Sequence, residues 1–220
     1  MKEKVIEAVK DNKVVAILRR VPERALVAAA EALRAGGINM VEVTYDQGDP
    51  SHMENTRRAL ETLRGEFGSR LWLGAGTVLT GDQVKNAADA GAQYVISPNV
   101  DKEVIEAAVS LGLVSIPGAF TPTEITRAYH LGADFVKLFP ASELGLSYLK
   151  ALKGPLGHIP LIAVGGVNAD NAVGFFKAGV VAVGVGSNIV DNALINEGRF
   201  DEITALARRF VDVLPGKGGA

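Results

Sequence analysis

Short apolar runs alternate with longer segments of helical periodicity along the chain, and each run is typical of a buried strand. The runs predict strands at 14–18, 39–44, 71–75, 94–97, 113–116, 134–140, 161–164 and 181–185. A segment with apolar residues at helical spacing follows each of them, predicting helices over 22–35, 51–66, 81–90, 101–111, 122–131, 145–153, 168–178 and 198–213. One more helix, over 2–10, precedes the first strand.

This regular alternation of strand and helix predicts a parallel sheet with helices packed on it. Several helices end at a glycine just before the next strand, as αβ connections usually do. Eight repeats in 220 residues favour a closed barrel over an open sheet. We therefore expect an α/β fold, a (β/α)8 TIM barrel with an extra N-terminal helix, as a single domain over 1–220. Residues 216–220 are predicted to form a terminal tail.

Composition and charge exclude several classes of function and partner. The chain is 48% hydrophobic with a net charge of −2 and no basic block, so we expect no nucleic-acid partner. It has no cysteine, which removes thiolate nucleophiles and cysteine–zinc sites. No apolar run reaches membrane-spanning length, and the N-terminus lacks the apolar core of a signal peptide. A cytoplasmic protein without membrane contact is the expectation, and no G-x-G-x-x-G follows the first strand to indicate a dinucleotide.

One lysine, Lys137, lies inside an apolar strand. Alternation places it on the same face as Phe135 and Phe139. Its ammonium group either reaches solvent along a buried stem or is desolvated, with a lowered pKa that favours attack on a carbonyl.

In a (β/α)8 barrel, functional side chains collect at the C-terminal ends of the strands. Glu42 is the only acidic residue in the interior of a predicted strand. Either a structural arginine or Lys137 would balance its charge. Arg19 is either a ligand for an anion or a solvated residue of the barrel rim. Thr77 either faces the site or caps a helix. Other strand ends supply Pro98 and Phe139.

Glycine turns follow the last two strands, where many barrels bind phosphate. They contain Gly165, Gly166, Gly186 and Ser187, and 187–190 is a candidate for the short extra helix found at such sites. Simple turns are the alternative. No histidine and carboxylate cluster has metal spacing, so we expect neither metal nor cofactor. A lysine, a glutamate, an arginine and a phosphate site together suit covalent carbonyl chemistry through an imine.

These residues resemble a known family of enzymes. The motifs Glu42-Val43-Thr44, Gly74-Ala75-Gly76-Thr77, Val136-Lys137-Leu138-Phe139-Pro140, Gly165-Gly166-Val167 and Gly184-Val185-Gly186-Ser187 are similar, in order, to those of class I aldolases. These aldolases cleave 2-keto-3-deoxy-6-phosphogluconate (KDPG), and several also cleave 4-hydroxy-2-oxoglutarate (KHG). The resemblance extends from Val14 to Val190.

The resemblance implies roles for the candidate residues. Lys137 would be the Schiff-base lysine and Glu42 the acid and base. Substrate-binding residues for the keto acid would be Thr77, Pro98 and Phe139, with the phosphate at Gly165, Gly166, Gly186 and Ser187. It also implies a homotrimer. Many relatives carry an arginine where this chain has Asp46. Others place it at the end of the first strand, so Arg19 is expected to bind the substrate carboxylate.

Three alternatives stay open from the sequence. The first is an aldolase for the 6-phosphogalactonate epimer. The second is a phosphosugar isomerase or synthase in which Lys137 acts electrostatically. The third is a non-catalytic sugar-phosphate sensor.

Overall fold

The computed structural model describes residues 1–216 of the chain. The strand segments are β1 Val14–Leu18, β2 Met40–Thr44, β3 Trp72–Gly76, β4 Tyr94–Ile96, β5 Val114–Ile116, β6 Gly118–Ala119, β7 Val136–Leu138, β8 Leu161–Val164 and β9 Ala182–Val185. The α-helices are α1 Lys2–Asn12, α2 Glu23–Ala35, α3 His52–Phe67, α4 Gly81–Asp89, α5 Lys102–Ser110, α6 Pro122–His130, α7 Ala141–Leu156, α8 Ala172–Lys177, α9 Asn192–Asn196 and α10 Phe200–Asp212. A 3-10 turn, Gly68–Arg70, follows α3.

The strand segments form one parallel sheet in the order β5-β4-β3-β2-β1-β9-β8-β7-β6. β5 and β6 are two halves of a single strand interrupted at Pro117, so the two ends of this order meet. Backbone hydrogen bonds close the ring: Phe135 N donates to Ser115 O at 3.3 Å, and Lys137 N donates to Pro117 O at 2.9 Å. The predicted (β/α)8 barrel is confirmed.

The barrel has two apolar layers. An outer layer lies between the strands and the surrounding helices. An inner layer fills the barrel with alternate side chains from the strands, including Met40, Tyr94 and Phe135. Helix α1 closes the N-terminal end, because Val5 and Val9 belong to this inner layer and are fully buried. The other end of the barrel is left for the site.

Two helices and one short segment differ from the sequence predictions. Helix α7 begins earlier, at Ala141. It has an additional first turn, and Gly145 at φ 75° separates this turn from the rest of the helix. Helix α8 begins later, at Ala172, because the Asn168 side chain accepts hydrogen bonds from the backbone at 170 and 171 and holds a turn there.

The predicted short helix over 187–190 is wrong: this segment is a turn, and α9 follows it. Of the predicted tail, residues 217–220 lie outside the described part of the chain. Within residues 1–216, no helix has both the length and the apolar character that crossing a membrane requires.

Candidate active site

A cavity of about 660 Å³ opens at the C-terminal end of the barrel. All the candidate site residues of the sequence analysis line it, although they come from seven strands and the loops after them. They are Arg19, Glu42, Thr77, Pro98, Lys137, Phe139, Gly165, Gly166, Gly186 and Ser187. The structure thus brings together every side chain that the sequence analysis selected.

Lys137 lines the cavity with only 7% of its surface exposed, so its side chain is largely desolvated. Inward-facing Phe135 fills the barrel below it, and the Phe139 ring centroid lies 4.5 Å from Nζ. Burial lowers the pKa of Lys137; the Glu42 carboxylate raises it, and the nearby Arg19 lowers it further. A larger fraction of this amine is therefore neutral than for a lysine in water.

Glu42 lies on β2 with 3% of its surface exposed. Burial raises the pKa of Glu42 to about 7, against the opposing attraction of Lys137 and Arg19. Its Oε2 has no hydrogen-bond partner, and none of the ion pairs among residues 1–216 includes Glu42 or Lys137. Glu42 is therefore not neutralised by a structural arginine, and it can both give and take a proton near neutral pH.

The two arginines after β1 have different partners. Arg19 lines the cavity, and its Nη2 donates to Thr77 Oγ1 at 3.2 Å. Arg20 donates to both carboxylate oxygens of Asp46, at 2.8 and 3.2 Å. This pair holds the pKa of the Asp46 carboxyl below its usual range, mainly through the hydrogen bond. Asp46 lies outside the cavity that holds Arg19, so it leaves Arg19 available for an anion.

Thr77 is not a helix cap. The cap of α4 is Thr80, whose side chain accepts a hydrogen bond from Gln83 N. Thr77 has a left-handed backbone with φ 57°, which is uncommon for a residue other than glycine. Such conformations cluster at functional sites, and here it keeps the hydroxyl within reach of Arg19 at the cavity.

The glycines of the cavity occupy their positions for different structural reasons. Gly165 and Gly166 have φ of 94° and 73°, and a side chain at Gly166 would collide with Ser142. Local geometry alone therefore accounts for both. At Gly186 an added Cβ would meet only Ile17 Cβ, at 4.0 Å, so the backbone tolerates a side chain that would project into the cavity. Gly186 is the glycine whose absence of a side chain serves the shape of the site.

Two asparagines of the site were missed by the sequence analysis. Asn188 donates to Val167 O at 2.9 Å and joins the loops after β8 and β9. Asn192 donates to Arg19 O at 3.1 Å and joins α9 to the end of β1. Both line the cavity. No sequence motif signals them, because each acts on a segment distant in the chain.

Within residues 1–216, no group of three or more histidine, aspartate and glutamate side chains is placed to hold a metal ion. The charged and polar groups that the cavity does contain are an amine, a carboxyl, a guanidinium and hydroxyls. These groups suit proton transfer and nucleophilic attack on a carbonyl.

Comparison with known proteins gives the family. The family model for KDPG and KHG aldolases matches residues 5–206. A probable 2-dehydro-3-deoxy-6-phosphogalactonate aldolase of Rhizobium meliloti is 36% identical over 81% of this chain and 82% of its own. A 2-dehydro-3-deoxy-phosphogluconate aldolase of Treponema pallidum is 32% identical over 96% of this chain and 97% of its own.

Among solved structures, the KDPG aldolase of Legionella pneumophila, with pyruvate captured at low pH as a covalent carbinolamine intermediate, has a TM-score of 0.83. It is 31% identical and covers 92% of this chain and 96% of its own. The family match begins within α1 and ends within α10, so it includes the whole barrel and every candidate site residue. The chain therefore belongs to the family of KDPG and KHG aldolases.

Proposed function

We propose that this chain is a class I aldolase that cleaves KDPG to pyruvate and glyceraldehyde 3-phosphate through an imine on Lys137. One observation carries the proposal: a buried lysine with a lowered pKa and a buried glutamate with a raised pKa share one cavity. Opposite shifts of this kind supply a nucleophilic amine and a proton carrier at the same pH. Membership of an aldolase family favours this reaction over the isomerase and sensor alternatives.

The first half of the reaction forms the imine. The neutral amine of Lys137 attacks the C2 ketone, and the resulting carbinolamine carries a hydroxyl that must leave as water. Glu42 gives the proton that this departure requires and becomes a carboxylate. The related Legionella pneumophila enzyme holds pyruvate as a carbinolamine, which supports the same first intermediate in this chain.

The second half breaks the carbon–carbon bond. The Glu42 carboxylate removes the proton of the C4 hydroxyl, the C3–C4 bonding electrons move into the imine, and glyceraldehyde 3-phosphate leaves. An enamine remains on Lys137. Protonation of its terminal carbon by Glu42 and hydrolysis of the imine release pyruvate and restore the amine. No external oxidant or reductant takes part. The same steps applied to KHG would give pyruvate and glyoxylate.

The substrate would lie in the cavity with its carboxylate at Arg19 and its phosphate at Ser187. In this arrangement Arg19 binds the carboxylate next to the ketone, while Thr77, Pro98 and Phe139 surround the keto-acid end. The backbone around Gly165, Gly166 and Gly186, together with Ser187, holds the phosphate. Binding the phosphate far from the breaking bond orients the substrate for the chemical step.

A second candidate substrate is the 6-phosphogalactonate epimer, which differs at C4. The observation that favours it is the 36% identity to a probable phosphogalactonate aldolase, against 32% to the phosphogluconate aldolase of Treponema pallidum. Retro-aldol assays with both epimers and with KHG, coupled to pyruvate detection, decide between them. The ratio of kcat/KM for the two epimers is the measurement.

Borohydride trapping tests the imine directly. Incubation with pyruvate and borohydride should add one pyruvate-derived group to the peptide that contains Lys137, read by mass spectrometry. Labelling at another lysine, or no labelling with an active enzyme, would contradict the Schiff-base mechanism.

We also propose that the chain assembles as a homotrimer, as the family resemblance implies. Exposed apolar side chains such as Phe120 and Leu146, which expose 45% and 37% of their surface, are available for contact between copies. Light scattering coupled to size exclusion measures the state: a mass of one or two chains would contradict it.

A further inference from the structure

Strand β3 has glycine at two consecutive inward positions, Gly74 and Gly76, and side chains from the neighbouring strands fill the space above both. An added Cβ at Gly76 would lie 2.6 Å from Cδ of Glu42, so the carboxyl of Glu42 lies over Gly76. An added Cβ at Gly74 would collide with the ring of Tyr94. Glu42 from β2 and Tyr94 from β4 therefore lean over the same strand from opposite sides.

The register places these groups at one level of the barrel. Glu42 pairs with Gly74, and Gly74 pairs with Tyr94. The phenol of Tyr94 crosses β3, and its hydroxyl donates to Val41 O at 2.6 Å, the carbonyl just before Glu42. The tyrosine thus spans three strands and ends at the backbone that carries the carboxyl.

The direction of this hydrogen bond matters for the carboxyl. Tyr94 is fully buried, and burial together with the charge of Glu42 raises the pKa of its phenol, which stays neutral. Its single proton is committed to Val41 O. Glu42 Oε2 receives no hydrogen bond from it or from any other described group. The ring also occupies the space in which water could approach the carboxyl from below.

We propose that Tyr94 is a positioning residue for Glu42: it fixes the backbone beneath the carboxyl, fills the space over Gly74, and keeps water from reaching the buried Oε2 from below. This rests on the proposed function, in which Glu42 moves protons. The other groups that act on Glu42 are Lys137 from β7, with its ammonium, and Arg19 after β1, with its guanidinium.

Tyr94→Phe is the test. Without the hydroxyl, the Val41 carbonyl loses a partner and a small polar gap opens beside it, where a water molecule can bind. A water near the carboxyl favours its charged form. We expect the titration midpoint of Glu42 to fall by about one pH unit. Because the proposed reaction begins with Glu42 protonated, the basic limb of the kcat/KM profile should move to lower pH by the same amount.

The midpoint is measured without catalysis, by NMR of side-chain carboxyls in protein labelled with 13C-glutamate. The Glu42 resonance is identified by its loss in Glu42→Gln. This readout separates the two proposals. Failure of wild-type protein to trap pyruvate would remove the proposed function, whereas the NMR titration would still decide whether Tyr94 controls Glu42.

Tyr45→Phe is the matched control. Tyr45 is also fully buried, and its hydroxyl donates within the outer layer, 3.0 Å from Gln83 O and 2.9 Å from Asn86 Oδ1. Both variants should lose stability, but only Tyr94→Phe should shift Glu42. If the Tyr94→Phe variant does not fold, Tyr94→Met keeps the space filled without a hydroxyl. An unchanged Glu42 midpoint in the folded variant would show that Tyr94 is structural only and overturn the proposal.

Discussion

The cavity has two regions that reach function by different physical routes. Its floor, Glu42 and Lys137, exposes at most 7% of either side chain, and burial changes the pKa of both groups. Its rim consists of exposed or half-buried groups at the ends of β1, β8 and β9, namely Arg19, Gly165, Gly166, Gly186 and Ser187. Desolvation determines the chemistry of the floor, whereas backbone shape determines what the rim admits. Floor variants should therefore change kcat and its pH dependence, and rim variants should change substrate selection.

The largest expected effect is at the floor, in Lys137→Met. Methionine keeps an apolar stem of similar length but has no amine, so the covalent route is lost, and kcat should fall about 10⁴-fold or more. The pyruvate-coupled assay measures it. Lys153→Met is the control, because Lys153 also has a pKa lowered by burial and lies outside the cavity. Retained turnover in Lys137→Met would assign Lys137 an electrostatic role only.

The next effect is that of Glu42→Gln on turnover. Loss of the acid and base should lower kcat by about 10²–10⁴-fold, while slow trapping of pyruvate by borohydride persists. Stopped assays over pH 5–9 measure both. Activity close to wild type would show that another group moves the protons.

The same variant should gain stability while it loses activity. The folded-state pKa of Glu42, about 7, lies above its ordinary value of 4.5, so the folded state binds more protons between these pH values. Stability of the wild type therefore falls as pH rises through this window. Glu42→Gln should raise the free energy of unfolding by about 1–3 kcal/mol at pH 8, with no gain below pH 4.5.

Urea unfolding at both pH values measures the change, with Glu124→Gln as a control of opposite sign. Backbone hydrogen bonds from Phe120 and Thr121 lower the pKa of Glu124, so its contribution to stability is present above its ordinary pKa and lost as pH falls. A Glu42→Gln variant that is no more stable than wild type at pH 8 would contradict the desolvation of the floor.

At the rim, Gly186→Val should act on substrate selection. Its Cβ would meet only Ile17 Cβ, at 4.0 Å, and the side chain should block close approach of the phosphate to the backbone. We expect kcat/KM for the 6-phosphorylated substrate to fall about 10–100-fold, as for the loss of charge-assisted hydrogen bonds, with little change for KHG. Gly166→Val is a poorer probe, because its left-handed backbone and the contact with Ser142 add strain.

The glycine control is Gly65→Ala, in α3, where nothing lies within 4 Å of an added Cβ. It should leave activity unchanged. An equal loss for both substrates in Gly186→Val would place the phosphate elsewhere.

The smallest effect is expected for Ser187→Ala, which removes one exposed hydroxyl. A single neutral hydrogen bond contributes about 0.5–1.5 kcal/mol, so KM for the phosphorylated substrate should rise a few-fold and KM for KHG should not change. Inhibition by inorganic phosphate gives a second measure. Unaltered phosphate inhibition would exclude a contact with Ser187.

The fold and most of the site could be predicted because they depend on local patterns. The strand and helix periods locate the barrel, and the C-terminal strand ends locate Lys137, Glu42 and Arg19. The roles of Gly74 and Tyr94 could not be predicted, because they depend on which residues pair across strands. Nor could the interruption at Pro117, the turn at 187–190 or the start of α8 at Ala172, each of which depends on hydrogen bonds that no periodicity encodes.

Helix α1 has a consequence for the order in which the chain folds. It is the first helix of the chain, yet it contacts not only β1, which follows it directly, but also β5 and the last strand, β9. Its apolar face is not fully covered until β9 has joined β1. Contacts of such large sequence separation form late, because the loop closure they require carries an entropic cost. Helix α1 is therefore expected to gain amide protection together with the last strand, so that it is among the last elements to be fixed although it precedes β1.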